Sequence, residues 1–308
     1  MKYLNLIRYQ NLLLLALMQL MIRFGFLKLQ SITLALTNPQ YILLVVSTIL
    51  IAAAGYVINN IFDQETDLQN KPNKVVVGKS ISETQAYNLY AVLNITGVAI
   101  GFYLSNAIGK PGFASIFILI AASLYLYATS LKQILLIGNL IVALLLCFSI
   151  IIVGIFDLYP ILNPENQQHL SNLFSILLDY SIFAFMINLL REIVKDIEDY
   201  YGDSNQGMRT LPIVLGISRT TKLVFFLSFV PIFILLKYIN TYFIANDLQF
   251  ATIYFLLFIV GPLVYFSIKI WNAKTTKDFH HLSTILKLTI LFGVLSIGII
   301  SYNIYYNA

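Results

Sequence analysis

Apolar residues fill nine long runs of the chain, near residues 9–30, 41–62, 86–106, 112–130, 134–156, 173–194, 221–239, 249–269 and 284–306. A helix of about 20 residues covers the hydrocarbon core of a bilayer, and each run is close to that length. Within the runs the apolar character is continuous. No alternation of period two breaks it, so helices are predicted rather than the strands of a barrel. The expected fold is all-α, a polytopic membrane protein of nine transmembrane helices. The longest polar connection, "DLYPILNPENQQHLSN", carries Pro160 and Pro164 and separates two helical halves. No Gly/Ser linker or compositional break appears, so residues 1–308 are expected to form a single transmembrane domain.

Composition strengthens this picture. Of 308 residues, 59% are hydrophobic and 11% charged, against about 25% charged in soluble domains. Basic residues precede the first run, as in a secretory signal, but no small-residue cleavage site follows. The run is therefore expected to be a membrane span. With the N-terminus in the cytoplasm, only Arg23, Lys28, Lys110 and Lys237 of the 19 Lys and Arg residues fall outside. This asymmetry predicts a cytoplasmic N-terminus in a prokaryotic plasma membrane. The bilayer is the expected partner, and nucleic acid is not. Cys147 lies in an apolar run and reads as packing. His169, His280 and His281 fall in predicted loops without the spacing of a ligand set.

Charge then changes the question from fold to chemistry. The stretch "NNIFDQETDLQNKPNK", residues 59–74, closes the second span, and "REIVKDIEDYYGDSNQGMRT" closes the sixth. Four crossings separate them, so both lie at the cytoplasmic ends of their helices. At about 100° per residue, Asn59, Asn60, Asp63 and Asp67 share one helix face, while Glu65 points away. In the second cluster Glu192, Asp196, Asp199 and Asp203 share a narrower face, with Glu198 opposite. Gly202 is a predicted helix end, which puts Asp203 in a loop.

Carboxylates gathered this closely repel one another unless cations intervene. Hard oxygen ligands without Cys or His suit magnesium, which bridges a few carboxylates to substrate phosphates. Lys71, Lys74, Arg191, Lys195 and Arg209 flank the acids. Acids, magnesium and adjacent bases together describe a diphosphate site. A calcium loop is excluded because "DQETDLQNKPNK" lacks Gly at position 6 and Glu at position 12. A cation or small-molecule transporter would carry its acids near mid-membrane, whereas these stand at span ends. A CDP-alcohol transferase would carry D-G-x-x-A-R, which the chain lacks.

At these residues the sequence resembles the UbiA superfamily of intramembrane prenyltransferases. The motif N-D-x-x-D-x-x-x-D is similar to "NNIFDQETD", matching Asn59, Asp63 and Asp67 and placing Asn60 where the family has aspartate. "NKPNK" resembles N-R-P-x-R, which implies that Lys71 and Lys74 contact diphosphate. "DIEDYYGD" resembles D-x-x-D-x-x-x-D and carries over Asp196, Asp199 and Asp203. "YATSLKQILLIGN" resembles Y-S-x-x-L-K followed by G-N, which implies Tyr127 and Lys132 near the site, with Ala128 in place of Ser. "RYQN" resembles R-P-x-N without its proline and implies Arg8 and Asn11.

The resemblance implies transfer of a prenyl group from an allylic diphosphate. Asn59, Asp63 and Asp67 would ligate one magnesium and Asp196, Asp199 and Asp203 a second. "REIVKDIEDYYGD" with "RTLPIVLG" is most similar to the branch that geranylgeranylates geranylgeranylglyceryl phosphate. The implied donor is geranylgeranyl diphosphate. An aromatic acceptor of quinone biosynthesis (4-hydroxybenzoate, dihydroxynaphthoate or homogentisate) is the alternative.

Overall fold

The computed structural model describes residues 1–70, 72, 73 and 75–307, and the side chains among them through residue 304. Among the described residues, nine helices are long and apolar enough to cross a membrane. They are α1 Tyr9–Gln30, α2 Asn38–Phe62, α3 Glu83–Ala107, α4 Pro111–Thr129, α5 Ile137–Ile161, α6 Gln167–Glu198, α7 Ile217–Asn246, α8 Gln249–Asn272 and α9 Thr276–Ile304. The protein is an integral membrane protein.

Local chemistry sets several of the boundaries. α2 and α3 each begin with a capping box, Thr37 with Gln40 and Ser82 with Gln85, which satisfies otherwise orphaned backbone donors. In α8, π-helical turns over Leu256–Val260 lie immediately before Pro262, whose ring and missing N–H disturb the regular ladder.

Among the described residues the apolar core falls into three clusters, the smallest around Leu6, Val57 and Ile58, and two larger ones. One gathers Ile22, Leu44, Val153, Phe156 and Leu177 from α1, α2, α5 and α6. The other gathers Val194, Val224, Leu263, Phe266 and Leu286 from α6, α7, α8 and α9. α6 belongs to both and joins the two halves that the sequence predicts.

Two helices continue past their apolar runs into the polar sequence around the acid segments. α6 spans 32 residues and reaches Glu198, and α9 begins at Thr276, eight residues before the apolar run at 284. His169 therefore lies in α6, and His280 and His281 lie in α9 rather than in loops. An apolar window cannot register a helix that continues into polar sequence. Asp203 is also helical, within the short helix Tyr200–Asn205. The chain turns at Asp199, not at Gly202, and Asp203 is only 7% exposed.

Candidate active site

The end of α2 and the end of α6 meet. Asp63 caps α2, and the short helix Gln64–Asn70 continues from it. Beyond α6, the short helix Tyr200–Asn205 lies against Gln64–Asn70. The Asn70 amide donates to the Asp199 carbonyl at 3.0 Å and accepts from the Gly202 N–H at 2.8 Å. Asn205 donates to Gln69 at 2.8 Å. Gly202 makes this approach possible, since a Cβ there would stand 2.3 Å from the Asn70 amide nitrogen.

Between the two segments lies a cavity of about 690 Å3. Its walls include Asn59, Asn60, Asp63 and Asp67 from one side, and Asp196, Asp199 and Asp203 from the other. Tyr127, Lys132, Arg191, Lys195, Arg8 and Asn11 also line it. Lys71 and Lys74 lie outside the described residues. Arg209 is not brought in. Met208 and Thr210 face the cavity while Arg209 is exposed between them. Its N–H donates to the Gln133 carbonyl at 3.0 Å.

Protein groups hold the acids in place. Asp63 accepts from the Lys132 ammonium on one oxygen and from the Asn59 amide on the other. Lys132 rides on the turn Leu131–Gln133, against which Gly138 packs closely. A Cβ on Gly138 would lie 2.8 Å from the Lys132 Cα. Asp196 accepts from the Asn139 amide at 2.8 Å. Asn60 donates its amide to the Tyr56 carbonyl at 2.8 Å. Arg8 adopts a left-handed conformation with φ of 50° at the joint before α1, its guanidinium 5.2 Å from the Tyr56 ring centre.

Several residues in or beside the cavity escaped the sequence reading as site residues. Asn139 belongs to the G-N pair named only as a landmark. Glu192, already in phase with the aspartates, binds two cations, Lys195 at 3.0 Å and Arg191 at 3.1 Å. Glu198, expected to face away, lines the cavity and pairs with His280 Nδ1 at 3.0 Å. Ser283 and Lys287 follow His280 along one face of α9 and line the same space. Their i, i+3, i+7 spacing was legible, but only a helix starting at Thr276 gives it meaning.

Oxygen donors dominate the acid segments, which is the donor set of magnesium rather than of zinc or copper. Among the described residues, no three His, Cys, Asp or Glu side chains converge closely enough to cage an ion alone. Magnesium fits that arrangement, because it commonly takes one or two carboxylates and completes its shell with water and substrate phosphate.

Beneath the cavity an apolar groove runs between α1, α6 and α9, lined by residues such as Leu15, Met18, Ile187, Ile290 and Val294. A charged chamber above a hydrocarbon channel suits a ligand with a polyanionic head and a long apolar tail.

Residues 14–303 match the UbiA prenyltransferase family. Digeranylgeranylglyceryl phosphate synthase of Saccharolobus solfataricus is 32% identical over 248 residues, 80% of this chain and 79% of that protein. The same enzyme of Korarchaeum cryptofilum is 35% identical over 181 residues, 58% of this chain; the match spans 57% of that protein's length. Among solved structures, a UbiA homolog from Aeropyrum pernix K1 superposes with a TM-score of 0.67 at 15% identity, over 95% of this chain and 97% of that one. A UbiA homolog from Archaeoglobus fulgidus bound to GPP and Mg2+ gives 0.61 at 18% identity, over 96% and 99%. Fold, paired aspartate segments and sequence agree: the chain belongs to the UbiA prenyltransferase family.

Proposed function

We propose that the protein transfers a geranylgeranyl group from geranylgeranyl diphosphate to geranylgeranylglyceryl phosphate, releasing pyrophosphate at the cytoplasmic face of the membrane. One observation carries the reading. Two aspartate-bearing helix ends are docked around a single polar cavity that opens onto an apolar groove. The acceptor follows the synthases of Saccharolobus and Korarchaeum, and the metal follows the donor set and the Archaeoglobus relative.

Asp63 and Asp67 would hold one magnesium ion, with Asn59 orienting Asp63, and Asp196, Asp199 and Asp203 a second. Bound there, the metal supplies positive charge to the diphosphate oxygens. Lys132 and Lys195 add fixed cations beside the departing group, and such preorganised charge acts most strongly as the allylic carbon–oxygen bond breaks. The bonding pair leaves with pyrophosphate. The acceptor hydroxyl oxygen then bonds to the allylic carbon and loses its proton, so one ether, one pyrophosphate and one proton result. Tyr127 stands in the same wall, where its ring face can stabilise the allylic cation. The apolar groove beneath keeps water from that cation.

Tail length fits as well. From Arg191 to Asp179, both on the groove wall, α6 runs twelve residues, or about 18 Å. That matches three to four extended five-carbon units of about 5 Å at ordinary bond lengths.

The test is an acceptor panel in reconstituted membranes with geranylgeranyl diphosphate and magnesium, read by product mass spectrometry. The ether of geranylgeranylglyceryl phosphate is expected. A prenylated aromatic acid as the sole product overturns the proposal.

A further inference from the structure

Three helices change from polar to apolar at one depth. On α9 the face His280, Ser283, Lys287 gives way to Ile290, Val294 and Ile297. On α6 the change falls at Arg191, and on α1 at Asn11. Among the described residues, only Asn11, Arg191 and Lys287 line both the polar cavity and the apolar groove. Two of the three are cations.

Neither cation is fully matched by the protein. Arg191 reaches Glu192 at 3.1 Å, but Glu192 also accepts two hydrogen bonds from Lys195, at 3.2 and 3.0 Å. The Arg191 Nε is buried without a partner. Lys287 is half-buried, and no hydrogen bond or ion pair joins it to any described residue. Arg191, another cation, lines the same two spaces. Like charges held together away from water are unfavourable unless an anion lies between them.

We propose that Arg191 and Lys287 form a second anion site, which binds the phosphate monoester of the lipid acceptor. The site rests on the prenyl-transfer reading above and adds to it where the acceptor's head group sits. A terminal phosphate offers three oxygens to a guanidinium and an ammonium at once, in charge-assisted hydrogen bonds. The mouth of the groove requires that this phosphate carry a hydrocarbon tail. The donor's diphosphate belongs elsewhere. Asp196 lies five residues from Arg191 along α6, about 7.5 Å nearer the helix end. The carboxylate beside the basic pair is Glu192, already engaged by Arg191 and Lys195, so the pair is expected to bind its anion without magnesium.

The experiment compares the wild type with Lys287→Met and Lys287→Arg in nanodiscs, after thermal melts confirm that all three fold. Binding of geranylgeranylglyceryl phosphate and of phosphate-free geranylgeranylglycerol is measured in EDTA, and KM for each substrate is measured with magnesium. Lys287→Met is expected to weaken the phosphorylated lipid about 10- to 100-fold, the loss of a charge-assisted bond. The phosphate-free lipid and the donor KM should change less than about twofold, and Lys287→Arg should restore binding. Unchanged affinity for the phosphorylated lipid, or a rise in donor KM instead, overturns the site. If the wild type binds that lipid through Lys287 yet transfers no prenyl group to it, the proposed reaction fails while the anion site stands.

Discussion

Charge is buried at both ends of this bundle, and the two ends use it differently. At the end away from the active site, Arg23 of α1 and Asp157 of α5 are 1% and 0% exposed. Arg23 Nη1 donates to both Asp157 oxygens, at 2.7 and 2.5 Å, and Nη2 to the Leu36 carbonyl at 2.5 Å. The Leu36 N–H returns to Asp157 at 3.1 Å, and the guanidinium lies 4.5 Å from the Tyr41 ring centre. The cluster pairs guanidinium with carboxylate, leaves only the Arg23 Nε without a partner, and ties the 31–37 connection to two helices. At the other end, Asp63 and Asp196 are held by a lysine and asparagines, and an open cavity remains beside them. A self-contained ion pair fastens; acids stacked around space wait for cations and a ligand.

Removing an acid from each end separates the two uses most sharply. Asp157→Ala leaves Arg23 buried without its carboxylate, which costs about 3–5 kcal/mol. It should lower the melting temperature while pyrophosphate release per folded molecule persists. Asp196→Ala should cut release about 100-fold or more and leave the melting temperature nearly unchanged, because it removes a repelling carboxylate as well as a hydrogen bond. Asp63→Ala should cut release as much with a smaller fall in melting temperature than Asp157→Ala, because the Lys132 it strands borders an open cavity. Stability and activity losses that coincide in all three variants would erase the distinction.

Next comes metal. Chelation should abolish turnover with no loss of helical circular dichroism, and magnesium should restore it. Unfolding on chelation would make the cavity a fastener like the Arg23 cluster. Gly202→Ala should have an intermediate effect. The added methyl meets the Asn70 amide and pushes the two acid segments apart, lowering kcat about 10-fold through misplacement. Asn70→Ala in the same chain should recover part of that loss.

The smallest effect is expected at Asn60. Its amide donates to the Tyr56 carbonyl and, at 3.4 Å, to Leu6. An aspartate there gains charge but loses those donors. Asn60→Asp should therefore cost about 1 kcal/mol of stability and change the magnesium dependence of turnover less than about threefold. A much larger gain in magnesium affinity would make position 60 a ligand in its own right.

The sequence shows the membrane spans clearly, because runs such as 41–62 and 86–106 are long, uniformly apolar and bounded by capping residues. It also shows the aspartates, since charge is conspicuous in such a chain. It hides what depends on helices that continue into polar sequence. Glu198 meets His280 only because α6 runs to Glu198 and α9 starts at Thr276. Contacts between distant residues are hidden too: Asn70 with Gly202, Asn139 with Asp196, Arg23 with Asp157. No periodicity announces them, because each side chain looks locally like an ordinary polar residue in a turn or helix. Arg209 shows the opposite case: it is close to the acids in sequence, yet it is exposed between two lining residues, Met208 and Thr210.

The most direct test of the two-segment site is a structure determined with manganese in place of magnesium and a non-hydrolysable thio analogue of geranylgeranyl diphosphate. Anomalous scattering would locate the metal. Metal peaks lying between Asp63 or Asp67 and the diphosphate, and between Asp196, Asp199 or Asp203 and the same diphosphate, are the expected result. A diphosphate bound away from either aspartate segment, or metal outside the cavity they enclose, would contradict the account.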